Sequence, residues 1–185
     1  MKVTYSDLKN KRVFISGGGS GIGATIVEHF CEQKSEVYFI DIDVRSSNKL
    51  IKNIKKKGFK IPKFIECNIL DIKKLQNIIK DIISKKGAIH CLINSAANDD
   101  RHTTEQVDEK YWENRMGINL KHYFFAAQAV VKGMKKIKSG SIVNLSSVSW
   151  MLGEGDKVVY ETAKSAVVGL TRSFAQEFGK YNIRT

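Results

Sequence analysis

The stretch Ser16-Gly17-Gly18-Gly19-Ser20-Gly21-Ile22-Gly23 decides how the rest of the chain is read. It closes a β-branched and aromatic run, Arg12 to Ser16, and opens an amphipathic stretch of helical period, Gly21 to Gln33. Glycines between a strand and a helix permit a tight turn and let backbone N–H groups approach a pyrophosphate. They also let the helix pack closely on the sheet with its positive end toward the phosphates. Gly17, Ser20, Gly21, Ile22 and Gly23 are therefore candidate dinucleotide-binding residues; a merely structural turn is the alternative, and the strand-turn-helix context favours the first.

Outward from this loop the same alternation repeats. Further strands are predicted at Glu36 to Asp41, Lys63 to Cys67, Ile89 to Asn94 and Ser141 to Ser146. Helices are predicted at Ser46 to Lys57, Ile72 to Lys85, Tyr111 to Lys136 and Val159 to Tyr181. Successive βαβ units imply an α/β chain, a Rossmann-type doubly wound parallel sheet with helices on both faces. Residues 1–185 read as a single domain without linker or repeat. Asn182 to Thr185 look like the opening of a sixth strand, so the expected fold is truncated there and its carboxyl-terminal part missing.

Charge and composition narrow the function classes. The 31 Lys and Arg against 19 Asp and Glu give a net charge of +12, which raises nucleic acid as a partner. Lys52, Lys55 and Lys56, Lys73, Lys74 and Lys80, and Lys132, Lys135 and Lys136 instead fall between apolar residues at helical spacing, the pattern of solvated helix faces. No nucleic-acid partner is expected. No apolar run reaches the roughly 18 residues of a membrane span, and Met1 to Lys11 lacks the apolar core of a signal peptide, so a cytoplasmic protein without membrane contact is expected. Cys31, Cys67 and Cys91 have no C-x-x-C spacing and read as reduced, mostly buried thiols; the histidines show no ligand spacing, and no metal is expected.

Asp41 ends the second strand, where a carboxylate can accept hydrogen bonds from both hydroxyls of an adenosine ribose and would repel a 2′-phosphate. NAD is thereby favoured over NADP, the alternative being that Asp41 caps the next segment, with Asp43 nearby as a second acid. Tyr160 and Lys164 stand four apart in a predicted helix and share a face, and an ammonium beside a phenol favours the phenolate that can act as a base. Tyr5 and Lys9 have the same spacing with no glycine loop or strand end beside them. Ser147, at the end of the fifth strand, can meet Tyr160 at the sheet's carboxyl edge, which separates the two pairs. Asn119 lies inside a predicted helix, and the residues alone leave it either a polar group on an exposed turn or part of the site.

Taken together, the glycine loop, Gly140-Ser141-Ile142-Val143-Asn144-Leu145-Ser146-Ser147 and Tyr160-Glu161-Thr162-Ala163-Lys164 resemble the short-chain dehydrogenases/reductases over essentially the whole chain. The resemblance implies an NAD-dependent oxidoreductase acting on a hydroxyl or carbonyl carbon, with Asn119, Ser147, Tyr160 and Lys164 as its tetrad. By that likeness Tyr160 exchanges the proton, Ser147 holds the substrate oxygen, Lys164 tunes the tyrosine and binds the nicotinamide ribose, and Asn119 orders a water. Asn94, Asn68 and Ile69 complete the implied cofactor set. Two departures stand out: Asn94-Ser95-Ala96-Ala97 replaces the usual N-N-A-G, and Asn68 replaces the usual Asp, although its amide carbonyl can still accept from an adenine.

Asn98-Asp99-Asp100-Arg101-His102 and Ser149-Trp150 offer polar groups and a flat aromatic suited to a polyhydroxylated ring, or else a charged surface loop and a core Trp. They look like the corresponding segments of bacterial aldose 1-dehydrogenases, the D-xylose type in particular. That likeness implies oxidation of a cyclic sugar at C1 to a lactone, with Asp99, Arg101, Ser147, Trp150 and Tyr160 on the substrate. It also implies a small-molecule substrate and, at full length, a homo-oligomer, tetramer or dimer. A 3-oxoacyl carrier-protein reductase or general alcohol dehydrogenase shares the tetrad, and a catalytically silent Rossmann module is the alternative of another class.

The contrast between the two Tyr/Lys pairs is testable. Tyr160→Phe should abolish turnover and leave cofactor binding nearly intact, whereas Tyr5→Phe should leave both unchanged; near-normal rates in Tyr160→Phe would remove the catalytic assignment.

Overall fold

Runs of β-branched and aromatic residues between amphipathic stretches build a parallel sheet of six strands, ordered β3-β2-β1-β4-β5-β6, in the computed structural model of residues 3–185. Met1 and Lys2, part of the amino terminus considered above, lie outside the described residues. The strands are β1 Arg12–Ser16, β2 Glu36–Asp41, β3 Lys63–Glu66, β4 Cys91–Asn94, β5 Gly140–Asn144 and β6 Ile183–Arg184. The helices are α1 Gly21–Glu32, α2 Val44–Lys56, α3 Ile72–Lys86, α4 Glu109–Met116, α5 His122–Ile137, α6 Ser149–Leu152 and α7 Val158–Phe178.

Period-two alternation divides the strand residues between two cores. Phe14, Tyr38, Ile40, Leu92 and Ile142 pack on one face against Leu75 and Ile79 of α3, Val130 and Met134 of α5, and Phe174 and Phe178 of α7. Val13, Ile15, Val37, Phe39 and Ile93 pack on the other against Val27 and Cys31 of α1 and Leu50 and Ile54 of α2. Apolar residues on both faces are what a parallel sheet covered on both sides requires, and the doubly wound architecture follows. Among the described residues, no helix is long and apolar enough to cross a membrane.

Helix starts are set by aspartates. Asp43 accepts from the backbone N–H of Ser46 at 2.9 Å, Asp71 from Lys74 at 2.8 Å and Asp108 from Tyr111 at 2.7 Å, each satisfying an N–H that lacks an intrahelical partner. α2 and α4 accordingly begin two residues before the expected Ser46 and Tyr111. The capping acid ahead of α2 is Asp43, which leaves Asp41 for another role.

Several expectations change. The helix expected from Tyr111 to Lys136 is two helices, α4 and α5, joined by a π turn at Gly117–Lys121. The wider turn lets Asn119 face inward and lets Gly117 sit against Leu70, whose Cδ2 would lie 2.7 Å from an added Cβ. The fifth strand ends at Asn144 rather than Ser146, because the Leu145 carbonyl is turned out of the ladder to meet the Lys164 ammonium at 2.7 Å. The third and fourth strands, Lys63–Glu66 and Cys91–Asn94, are shorter than read, and Ser149 to Leu152 forms the short helix α6. Ile183 and Arg184 do pair with Gly140 and Ser141 as the sixth strand.

Candidate active site

Because every strand runs the same way, the loops after β1, β2, β4 and β5 leave from one edge, and between them lies a cleft of about 700 Å³. Its lining includes Gly17, Ser20, Gly21, Ile22 and Gly23 at one side, Asp41, Asn68 and Ile69 at one end, and Tyr160 and Lys164 at the other. The glycines of the loop are in close contact with their surroundings. A Cβ on Gly17, whose φ is +69°, would lie 2.6 Å from the Ala96 Cα; one on Gly18 would lie 2.7 Å from Phe39; and one on Gly23 would overlap the Gly17 carbonyl oxygen. Gly21 differs. At φ +52° it has nothing within 4 Å, so its backbone faces open space beside the first turn of α1.

Asp41 is fixed by two backbone donors, Gly19 N–H at 2.8 Å and Asp43 N–H at 2.9 Å, one on each carboxylate oxygen. An ionised carboxylate has about four acceptor positions, so two remain toward the cleft. Asn68 is exposed in the cleft, but its side-chain oxygen already accepts from Leu70 N–H at 3.0 Å, which leaves its amide NH₂ and one lone pair open. Asn94 does not line the cleft: it is wholly buried, its amide donating to Asn144 at 2.8 Å, while Asn144 donates to Thr171 at 2.9 Å. It ties β4 to β5 and, through Thr171, to α7.

Asn119 is also wholly buried, and its amide closes a ring with the Asn98 backbone, accepting from N–H and donating to C=O, both at 2.9 Å. The π turn therefore fixes the loop that carries Asn98 and Asp99 into the cleft. Lys164, 1% exposed, donates to the Leu145 carbonyl at 2.7 Å and to the Tyr123 hydroxyl at 3.0 Å, and stands 5.5 Å from the centre of the Tyr160 ring. Burial pulls its pKa down to about 8, partly offset by the Asp99 carboxylate. Among the described residues the Tyr160 hydroxyl makes no hydrogen bond within the protein, so it is available to a ligand in the cleft. Ser147 adjoins the cleft residue Ser146 and shares a 2.9 Å hydrogen bond with Ser149.

Arg101 and Trp150 do not line this cleft. Arg101 pairs with Asp156, while His102 donates its N–H to the Asp156 carbonyl at 2.7 Å, so this corner joins the loop after β4 to the loop before α7. Trp150 is half-buried on α6. The substrate contacts expected of these two therefore need rearrangement, because one guanidinium is already paired and the other side chain sits on a separate helix. Asp99 does line the cleft, near enough to Lys164 for its charge to favour the ammonium. All three cysteines are free thiols, with burial pushing Cys31 up to about 12 and Cys91 to about 11.

The sequence reading missed Tyr123, whose fully buried hydroxyl touches Lys164, and the π turn that orients it. The only available signal was the spacing of Asn119 and Tyr123, which puts both on one helix face.

Comparison with known proteins identifies the family. The family described as short chain dehydrogenase matches residues 11–185. The chain is similar to D-xylose 1-dehydrogenase of Caulobacter vibrioides, 41% identical over 97% of this chain and 71% of that protein. It is also similar to a "probable galactose dehydrogenase" of Rhizobium meliloti, 38% identical over 97% of this chain and 70% of that one. Among solved structures, that of the Cj0485 dehydrogenase superposes with a TM-score of 0.86 at 27% identity, covering 96% of this chain and 67% of its own.

The glycine contacts rank the loop positions. Gly23→Ala should destabilise the chain by about 1–3 kcal/mol through forced displacement of the Gly17 carbonyl, while Gly21→Asn should cost less, since asparagine tolerates positive φ and the space is open. Urea unfolding of both variants checks the order, and equal losses would contradict it.

Proposed function

This chain belongs to the short-chain dehydrogenases, a family of oxidoreductases, and we propose that within it the chain oxidises an aldose at C1 to a lactone with NAD as hydride acceptor. The observation that carries this is a single cleft with a fixed carboxylate, Asp41, at one end and Tyr160 with a buried ammonium at the other.

The residues fit a dinucleotide. Ser20 does not cap α1 with its side chain, so the first N–H groups of that helix keep their positive end free for a pyrophosphate, and Gly21 leaves room for it. Two open acceptor positions on Asp41 match the two hydroxyls of an adenosine ribose, and its charge disfavours a 2′-phosphate. Asn68 and Ile69 would flank the adenine. A nicotinamide held at the Tyr160 end supplies the acceptor for the hydride leaving C1.

Everything else is done by the chain's own groups. Tyr160, as phenolate, takes the proton from the sugar's anomeric hydroxyl as the C1–H bond breaks, and the C–O bond becomes the lactone carbonyl. Lys164, as ammonium, supports the phenolate and holds the nearer ribose. Ser147 donates to the reacting oxygen after turning from Ser149. Asn119 holds the Asn98 backbone, and Asp99 in the cleft is the acceptor for a sugar hydroxyl. The likeness to a D-xylose and a galactose dehydrogenase supports a sugar over an apolar acyl chain.

NADH absorbance over a panel of pentoses and hexoses tests the proposal, with NAD and NADP compared in the wild type and in Asp41→Ala. NAD should be favoured at least tenfold, about 1.4 kcal/mol, and Asp41→Ala should narrow the gap. Equal use of both cofactors by the wild type would remove the role of Asp41, and reduction of acyl thioesters with no aldose oxidised would overturn the sugar assignment.

A further inference from the structure

We infer that Tyr123 is a positioning residue for the catalytic lysine: its buried hydroxyl and the Leu145 carbonyl hold two of the three Lys164 N–H donors and so direct the third into the cleft. This rests on the proposed role of Lys164.

Three short contacts carry it. Lys164 Nζ donates to Tyr123 Oη at 3.0 Å and to the Leu145 carbonyl at 2.7 Å, and Tyr123 Oη donates to the same carbonyl at 3.1 Å. The phenol oxygen accepts from the lysine while its own proton goes to the carbonyl, so each donor in the triangle has one partner. An ammonium has three N–H groups, and with two held here the third has only the cleft side left, where Tyr160 and Asp99 lie. A flexible four-carbon stem would otherwise let the head sample several directions.

Tyr123 is suited to this and not to proton transfer. Burial, reinforced by the neighbouring Tyr160, pushes its phenol well above the ordinary tyrosine range, so it remains a neutral dipole beside the cation. His122, the adjacent residue on α5, is held down to about 3 by burial and by Lys164, so it adds no second positive charge. The ionisable groups facing the ammonium are then Tyr160, Tyr123, His122 and Asp99, and neither Tyr123 nor His122 carries a charge near neutrality. Tyr123 reaches this position because the π turn Gly117–Lys121 sets the register of α5, bringing Asn119, His122 and Tyr123 inward together.

Tyr123→Phe keeps the ring in the core and deletes only the hydroxyl. It should leave cooperative unfolding in place and lower turnover about ten- to a hundredfold, as expected when a hydrogen bond to a charged group is lost, with NAD affinity changed far less. Loss of an acceptor disfavours the ammonium, so the pH midpoint for acylation of Lys164, read by mass spectrometry after competitive labelling, should move to lower pH. This second readout needs no turnover. An unchanged midpoint, or turnover within twofold of wild type, would overturn the inference. Lys164→Ala run in parallel separates the two proposals: full activity in that variant would overturn the catalytic role of the lysine, while a shifted midpoint in Tyr123→Phe would still support the positioning of its ammonium.

Discussion

The parallel register of β1, β4 and β5 is the constraint on which the site depends. Ser16 lies opposite Asn94, and Asn94 opposite Asn144, so three strands end at the same level and release three loops side by side. Those loops are the glycine turn, the Asn98 segment and the Leu145 to Ser147 segment. Small polar side chains hold the edge together from within. The Ser16 hydroxyl accepts from the N–H groups of Ser95 and Ala96 at 3.2 and 3.3 Å, and Asn94 reaches α7 through Asn144 and Thr171. A buried polar network of this kind ties the strand ends to one another and to α7, which a site assembled from four separate segments requires.

The same edge explains why one lysine differs from the rest. Those of α2 and α3 lie on solvated faces, where an ammonium keeps its hydration, but Lys164 is buried between Tyr123, Leu145 and Tyr160. Holding a cation there opposes folding. Below its folded-state pKa of about 8 the lysine is protonated in both folded and unfolded chains and the full cost of burial is present. As pH rises from there toward the ordinary lysine value of about 10.4, the folded chain releases its proton first and the cost is relieved. At neutral pH the fold thus retains an ammonium at some loss of stability, a pattern common at functional sites.

What could be read from residues alone follows from where the information is local. The glycine loop, the alternation of strands and helices, and Asp41 at a strand end each depend on a few neighbouring residues, and the doubly wound parallel sheet emerges from them. Asp43 as the cap of α2 was within reach of the same reasoning. The π turn was not: Met116 to Leu120 continues the helical pattern on both sides, and the extra residue is stabilised by a long-range clamp between Asn119 and the Asn98 backbone. The contact made by Tyr123 carried no signal in the sequence because its partner is forty-one residues away. Arg101 and Trp150 were grouped with the substrate by their polarity and shape, and the pairing of Arg101 with Asp156 depends on a loop contact no periodicity encodes.

The central claim is that this edge forms one cleft that holds a nicotinamide dinucleotide from Asp41 to Tyr160. A crystal structure of the chain grown with NAD measures it most directly. The account predicts the adenosine ribose on Asp41, the pyrophosphate over Gly21 at the start of α1, and the nicotinamide ribose within hydrogen-bond reach of Tyr160 and Lys164. Density for NAD elsewhere on the protein, or within the cleft but reversed so that the adenine lies against Tyr160, would contradict it.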